Sequence, residues 1–149
     1  MGLLAAFRRR PFLTPTERQQ IEAGLATARR HAAAPIGLII DERVASDHEA
    51  RAQELFRAWD LPEAERARAV LVYACAANRR FAVVGGDEIR RVAPQTFWDT
   101  LHGDLTRHFE ERRFCDGLFK AVAHVAIQMQ RNFGPSGSGT PPDTVPEVE

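Results

Sequence analysis

The sequence predicts an α/β protein in which a mixed β-sheet has helices on its faces. Three observations support this prediction: capped amphipathic segments with helical periodicity, short β-branched runs between them, and the order of both along the chain. The predicted order is α-β-α-β-β-α-α. A strand, a helix and a second strand in succession predict a parallel pair, and a hairpin then adds an antiparallel third strand.

The first predicted helix begins at Thr14, where Thr-Pro-Thr-Glu forms a capping box with proline at the first helical position. We expect this helix to end near Ala33, because a proline follows two residues later. The apolar run Ile36–Ile40 comes next. Its length and branched side chains predict a buried strand, which ends at the acidic residues Asp41 and Glu42.

A second capping box, Ser46-Asp47-His48-Glu49, predicts another helix that begins at Ser46. The polar residues 63–68 are expected to form an exposed turn or a short helix. The run Val70–Cys75 is the strongest strand signal in the chain, and Phe81–Val84 follows it after a short polar link. Two such runs joined by a link that contains asparagine are typical of a β-hairpin.

Two longer helices complete the predicted fold. The first begins at Pro94 and has an apolar residue every four positions, at Phe97, Leu101, Leu105 and Phe109. The second begins near Asp116, which we expect to be its N-cap. Its apolar face is Leu118, Val122, Val125, Met129 and Phe133. The remaining residues are rich in Gly, Pro and Ser, so the sequence predicts a domain over 1–135 and a disordered tail over 136–149.

Composition narrows the possible functions. Twenty basic residues balance twenty acidic ones, which argues against a dedicated nucleic-acid-binding protein. No apolar run approaches the ~20 residues of a transmembrane helix, and the N-terminal charges follow the apolar residues, the reverse of a secretory signal. The two cysteines are expected to be reduced. We therefore expect a cytoplasmic, monomeric protein with no transmembrane segment, and no motif predicts an organic cofactor.

Residues 85–88 spell Gly-Gly-Asp-Glu, which is the active-site signature of diguanylate cyclases. In a cyclase that signature lies at the tip of a hairpin, so an apolar strand follows it directly. Here residues 89–94 lead into a helix, and nothing in the chain imitates the Asn-Asp nucleotide segment of a cyclase. The sequence therefore predicts a strand-to-helix junction and no nucleotide-cyclising loop.

Four segments in series resemble one known family. They are FLTPTERQQIEAGLATARR, ARAVLVYACAANRRFAVVG, RRFAVVGGDEIRRVAPQTFWD and RFCDGLFKAVAHV. Together they resemble the TPM domain family, named for thylakoid lumenal, photosystem-repair and receptor-modulator members, and more closely its soluble bacterial branch. The resemblance covers about residues 7–134. It implies a three-layer α/β/α sandwich with a small mixed sheet flanked by about four helices, which agrees with the predicted element order.

The resemblance implies more than one function. Some family members are described as acid phosphatases, others as divalent-metal binders and others as adaptor-like domains. Our leading interpretation is a module that binds a protein partner or a small ligand, with a weak site for Ca²⁺ or Mg²⁺. The alternative is a metal-assisted acid phosphatase acting on phosphomonoesters, so whether the protein is an enzyme stays open. Members of the membrane-anchored branch have an aromatic residue between two glycines where this chain has Gly-Gly-Asp-Glu.

Four carboxylates are the candidate metal ligands. Asp87 and Glu88 stand beside two glycines in a strand-to-helix loop, with Asp99 in the next helix, and hard cations prefer carboxylate and loop carbonyl oxygens. Asp41 ends the first strand, at the sheet edge where ligands of α/β proteins gather. Because the third strand runs antiparallel, we expect Asp87 at the opposite end of the sheet from Asp41. The alternative for Asp87 and Glu88 is structural, since acidic residues stabilise a helix N-terminus.

Overall fold

A three-stranded mixed sheet forms the middle layer of the protein. The computed structural model describes residues 11–134; the first ten residues and the predicted tail 136–149 lie outside the described residues. The strands are β1 (Ile36–Asp41), β2 (Val70–Cys75) and β3 (Arg80–Gly85). The helices are α1 (Pro15–His31), α2 (His48–Ala58), α3 (Glu63–Arg66), α4 (Asp87–Val92), α5 (Gln95–Glu110) and α6 (Phe114–Phe133). The predicted α/β/α sandwich is confirmed, with four long helices and two short ones among these residues.

The strand order is β1-β2-β3. β1 pairs in parallel with β2, from Ile36 opposite Val70 to Asp41 opposite Cys75. β3 pairs antiparallel with β2, so that Gly85 lies opposite Val70. Asp41 therefore lies at one end of the sheet, and the end of β3 that leads into α4 lies at the other. The predicted separation of Asp41 from Asp87 is confirmed.

β2 is the centre of the core, because all six of its residues are buried. Its alternate side chains belong to two hydrophobic clusters, as the pleat of a strand requires. Val70, Val72 and Ala74 pack with residues of α1, α5 and α6. Leu71, Tyr73 and Cys75 pack on the other side with residues of α2. Each apolar face predicted for α5 and α6 is buried in the first cluster.

Capping residues fix the beginnings of the first two long helices. The Thr14 hydroxyl accepts a hydrogen bond from the Glu17 N–H at 3.1 Å, and the Glu17 carboxylate accepts one from the Thr14 N–H at 2.9 Å. The predicted capping box is thus confirmed. At α2 the N-cap is Asp47, whose carboxylate accepts from the Ala50 N–H at 3.0 Å. The expectation that this helix begins at Ser46 is wrong, because the aspartate supplies the bond expected of the serine.

The beginning of α6 also differs from the prediction. The helix begins at Phe114 and its N-cap is Arg113, so the expectation that Asp116 caps it is wrong. Asp116 lies in the first turn, where its carboxylate is 3.4 Å from the Arg113 guanidinium. A negative charge there still favours the helix through its interaction with the helix dipole.

The predicted hairpin joins β2 to β3 through residues 76–79. Arg79, and not the neighbouring Asn78, has the positive φ of this turn, at 55°. The Arg79 guanidinium lies 5.7 Å from the ring centre of Phe12 and 5.6 Å from that of Phe114. These cation–π contacts hold the turn against the start of the described chain.

Candidate functional site

The second glycine of the Gly-Gly-Asp-Glu stretch, Gly86, permits a close approach between backbones. A Cβ atom on Gly86 would lie 2.1 Å from the carbonyl oxygen of Arg66 and 2.5 Å from that of Ala67. Because the chains approach so closely, the N–H groups of Glu88 and Ile89 both donate to the Ala67 carbonyl, at 2.9 and 3.1 Å. The predicted strand-to-helix junction is confirmed, but the helix there is α4, which begins at Asp87 within the stretch and was not predicted. Packing of α4 against the end of α3 thus accounts for the glycine at position 86.

The three predicted cation ligands near this junction already have partners. The Asp87 carboxylate is 2.7 Å from the Arg90 guanidinium, and the Glu88 carboxylate is 3.1 Å from that of Arg68. Asp99 accepts a hydrogen bond from the Gln95 side chain at 3.0 Å. Within residues 11–134, no three side chains of His, Cys, Asp or Glu are grouped so that they could hold a metal ion. A cation at Asp87 and Glu88 would have to compete with two arginines.

Asp41 lies at the carboxyl end of the parallel strands, as predicted, and accepts hydrogen bonds from three donors. These are the Tyr73 hydroxyl at 2.9 Å, the Arg43 N–H at 3.2 Å and the Arg51 guanidinium at 3.4 Å. Burial works to raise the pKa of Asp41, but the three donors outweigh it and hold the pKa below its usual value. The contacts tie the end of β1 to β2 and α2, and Arg51 electrostatically opposes a cation at this position.

Tyr73 is the buried partner in this group. Burial first, and then the Asp41 carboxylate, raise the pKa of its hydroxyl far above the ordinary value. The ring is fully buried between the sheet and α2. Sequence reasoning placed Tyr73 in a strand and gave it no polar role. Its partner can be inferred only from the pairing of β1 with β2, which places the two residues on neighbouring strands.

A cleft runs along the outer edge of β3, between α2 and α5 near the hairpin and between α2, α3 and α4 near Gly86. Its part nearer the hairpin has a volume of about 380 Å³. Its part nearer Gly86 has a volume of about 740 Å³. Gln53, Val83 and Val84 line both parts, so the two are continuous along the strand. We call this feature the β3 cleft.

The long walls of the β3 cleft are a ridge of α2 along its whole length and a ridge of α5 near the hairpin. Glu49, Gln53 and Arg57 stand four residues apart on α2, and all three are exposed. On α5 the wall consists of Gln95, Trp98, Asp99 and His102. Residues three and four apart share a face of a helix, so each set forms a continuous edge above the strand, and this edge is polar except at the partly buried Trp98. Asp99, predicted as a cation ligand, is thus a wall residue of the cleft.

The floor of the cleft is partly aromatic and apolar. Phe81 lies 5.1 Å from the ring centre of His102 and 5.2 Å from that of Phe109. At the other end, a Cβ atom on Gly85 would lie 2.8 Å from the Trp98 ring, so glycine lets the indole cover the strand there. The indole N–H of Trp98 has no hydrogen-bond partner among the described residues. The cleft therefore combines an apolar floor with polar walls, an arrangement suited to binding.

An α/β/α sandwich with a small mixed sheet and an open cleft at its antiparallel edge strand defines the structural class of this protein. The family model described as "TPM domain" matches residues 8–128, which is most of the chain. The protein belongs to the TPM domain family. The resemblance found in the sequence is therefore confirmed.

One similar solved structure is the NMR structure of BA42 protein from the psychrophilic bacterium Bizionia argentinensis. The two chains are 20% identical, the match covers 83% of this chain and 86% of that one, and the TM-score is 0.70. Likeness at this identity shows a shared fold. No curated protein matches the chain. Between residues 11 and 134, the protein has no helix with the length and apolarity needed to cross a lipid bilayer.

Proposed function

We propose that this TPM domain is a cytoplasmic binding module that receives a protein partner or a small ligand in the β3 cleft. The observation that supports the proposal most is the cleft itself. It places an edge strand beside a ridge of exposed polar side chains on α2 and, near the hairpin, opposite the exposed Gln95, Asp99 and His102 of α5. Recognition sites commonly combine such a concave surface with a few directed polar groups.

The charged side chains of the walls support the same proposal. Glu49 and Arg57 on α2 have no ion-pair partner among the described residues, and Asp99 on α5 has only an amide partner. Elsewhere on the described surface, exposed arginines commonly pair with a carboxylate three residues away, as Arg107 does with Asp104. Charges that lack partners beside a cleft contribute little to the fold and remain available to a bound molecule.

A weak site for Ca²⁺ or Mg²⁺ at Asp87 and Glu88 is a further part of the proposal. Both residues lie where the cleft meets α4, and Asp87 lines it directly. Each carboxylate has an arginine partner that a cation would displace. Binding should therefore be no tighter than on the order of 10⁻⁴–10⁻³ M, the range of weak calcium sites.

Site-specific photo-crosslinking in the cells that make the protein tests the binding function. A photoreactive amino acid replaces Gln53, which lies in the middle of the β3 cleft, and in a matched variant replaces Glu22, an exposed residue of α1. We expect a discrete adduct from position 53 and none from position 22. Equal adducts at both positions, or no adduct at position 53, would contradict the proposal.

A further inference from the structure

The backbone of β3 offers unpaired hydrogen-bonding groups to the cleft. The Gly86 N–H donates to the Ala69 carbonyl at 2.9 Å, which makes these two residues a hydrogen-bonded pair of the antiparallel ladder. Hydrogen-bonded pairs recur at every second residue. In the observed register, Val84 with Leu71 and Ala82 with Tyr73 are therefore such pairs. The N–H and C=O groups of Phe81, Val83 and Gly85 consequently point away from β2.

These outward groups have no partner in the part of the chain that the structure describes. β3 is the last strand of the sheet, and no hydrogen bond joins another residue between 11 and 134 to the outward backbone groups of Phe81, Val83 or Gly85. An edge strand of this kind is a template on which another strand can pair. Here the template lies at the bottom of a cleft.

The two walls limit what can pair with β3. A strand added to a sheet lies about 4.8 Å from its neighbour and needs little lateral room. A whole second sheet at this edge would bring its own helices against α2 and α5, whose exposed ridges are polar and not apolar. The walls thus favour a single extended segment over a second copy of the protein.

The charges of the cleft change sign along β3. Near the hairpin the charged lining residues are Glu49 and Asp99, and no arginine or lysine lines that part. Near Gly86 the lining includes three arginines and two carboxylates, and its α2 ridge ends in the unpaired Arg57. Hence a bound segment meets negative charge at the Phe81 end and positive charge at the Gly85 end.

We propose that the β3 cleft binds an extended peptide segment of a partner protein, which adds to the sheet as a fourth strand antiparallel to β3. The segment has an acidic residue at its N-terminal end, beside Arg57, and a basic residue at its C-terminal end, beside Glu49 and Asp99. Backbone bonds to Phe81, Val83 and Gly85 provide affinity, the greater stability of antiparallel pairing sets the direction, and the charge order provides selectivity. This inference rests on the proposed function and names the class of partner that the cleft accepts.

A designed peptide tests the inference on the full chain. The probe has glutamate first, lysine last, and alternating valine and threonine between them, with blocked ends. Its binding is followed by amide NMR shifts and by hydrogen exchange. We expect the N–H groups of Phe81, Val83 and Gly85 to become protected from exchange. Those of Ala82 and Val84 already bond to β2, so their protection should change little.

Two control peptides test backbone pairing and direction. The first carries N-methyl groups on alternate residues, which removes the donors that pair with β3, and we expect its binding to be lost. The second has lysine first and glutamate last with the same composition, and we expect it to bind more weakly. Equal binding of all three peptides, or protection without the every-second-residue pattern, would overturn the proposal.

Variants of the walls test the charge order. Glu49→Gln and Arg57→Gln should each weaken binding of the first peptide by about two- to five-fold, which is the usual range for exposed ion pairs. Glu22→Gln on α1 is the matched control and should change nothing. If the reversed peptide binds each wall variant as tightly as the first peptide does, the assigned direction is supported. Unchanged affinity in both variants would refute it.

Other occupants of the cleft give different results. Self-association detected by sedimentation and abolished by excess peptide would assign the cleft to a second copy and overturn the proposal. Peptide binding that appears only after removal of residues 1–10 or 136–149 would assign the cleft to one of these segments of the protein itself. That result would also overturn the proposal. If the peptide fails but crosslinking at position 53 succeeds, the cleft binds something other than a strand. Failure of both refutes the binding function itself.

Discussion

Replacing Gly86 with alanine tests the interpretation of the Gly-Gly-Asp-Glu stretch as a packing junction. Gly86 has an ordinary φ of −69°, so alanine can adopt its backbone conformation. The obstacle is steric, because the added Cβ would lie 2.1 Å from one backbone oxygen and 2.5 Å from another. Neither oxygen belongs to a flexible side chain, so α4 must move away from the end of α3.

Two contributions set the size of the effect. Overpacking a tight site typically costs about 1–3 kcal/mol. Displacing α4 also weakens the bonds from Glu88 and Ile89 to the Ala67 carbonyl, and each such bond is worth about 0.5–1.5 kcal/mol. We therefore expect Gly86→Ala to lower the free energy of unfolding by about 4 kcal/mol, a large part of the ~5–15 kcal/mol typical of a domain.

Urea unfolding followed by circular dichroism measures this loss. With a slope of about 2 kcal/mol per molar, the midpoint should fall by about 2 M. Gly103→Ala is the matched control, because Gly103 is an exposed residue of α5 and an added Cβ meets nothing within 4 Å. That change should stabilise the protein by about 0.5–1 kcal/mol through helix propensity. A Gly86→Ala midpoint equal to that of the wild-type protein would refute the steric interpretation.

Three further predictions concern the other candidate residues, and a fourth concerns catalysis. Tyr73→Phe should lower the free energy of unfolding by about 1–2 kcal/mol at pH 7, since it removes a hydrogen bond to a charged acceptor. Above pH ~10 the wild-type protein should lose stability relative to this variant, because the raised pKa of Tyr73 means that only the unfolded state ionises the tyrosine readily. Asp41→Asn should also lower the free energy of unfolding. The difference in stability between this variant and the wild-type protein should narrow as the pH falls below ~3.9, since the ionised Asp41, whose pKa is lowered in the folded state, contributes stability only above that range. Calorimetry with Ca²⁺ or Mg²⁺ should show weak binding that Asp87→Asn reduces and Asp104→Asn leaves unchanged. Absence of binding heat with both cations would contradict the proposed site. No hydrolysis of p-nitrophenyl phosphate above background is expected, and turnover abolished by a chelator would instead support the phosphatase alternative.

Local sequence signals predicted most of the fold. The bounds of β2 were predicted correctly at both residues, because a fully apolar run between polar segments has few alternative placements. For residues 63–68, expected to form an exposed turn or a short helix, the structure has the short helix α3. Errors fell at helix starts, where several residues compete to cap the same N–H groups. Asp47 displaced Ser46 in this way at α2.

The β3 cleft could not be predicted in the same manner. Glu49, Gln53 and Arg57 have the spacing of one helix face, but any solvent-facing ridge has the same pattern. Their position beside an edge strand follows from the strand order β1-β2-β3, which depends on tertiary packing. Asp99 was selected for its nearness in sequence to Asp87, and its role in the cleft wall arises from the direction of α5.

The junction at Gly86 connects the stability of the protein with its proposed binding. The same Gly86 whose close approach allows α4 to pack on α3 donates to Ala69, and this bond belongs to the ladder whose register determines which residues of β3 face outward. A slip of one residue in this pairing would turn the N–H groups of Ala82 and Val84 toward the cleft and move every side chain of β3 to the opposite face of the sheet. Phe81 would then leave its contacts with His102 and Phe109. The junction at Gly86 therefore adjoins the strand pairing on which recognition of an extended partner would depend.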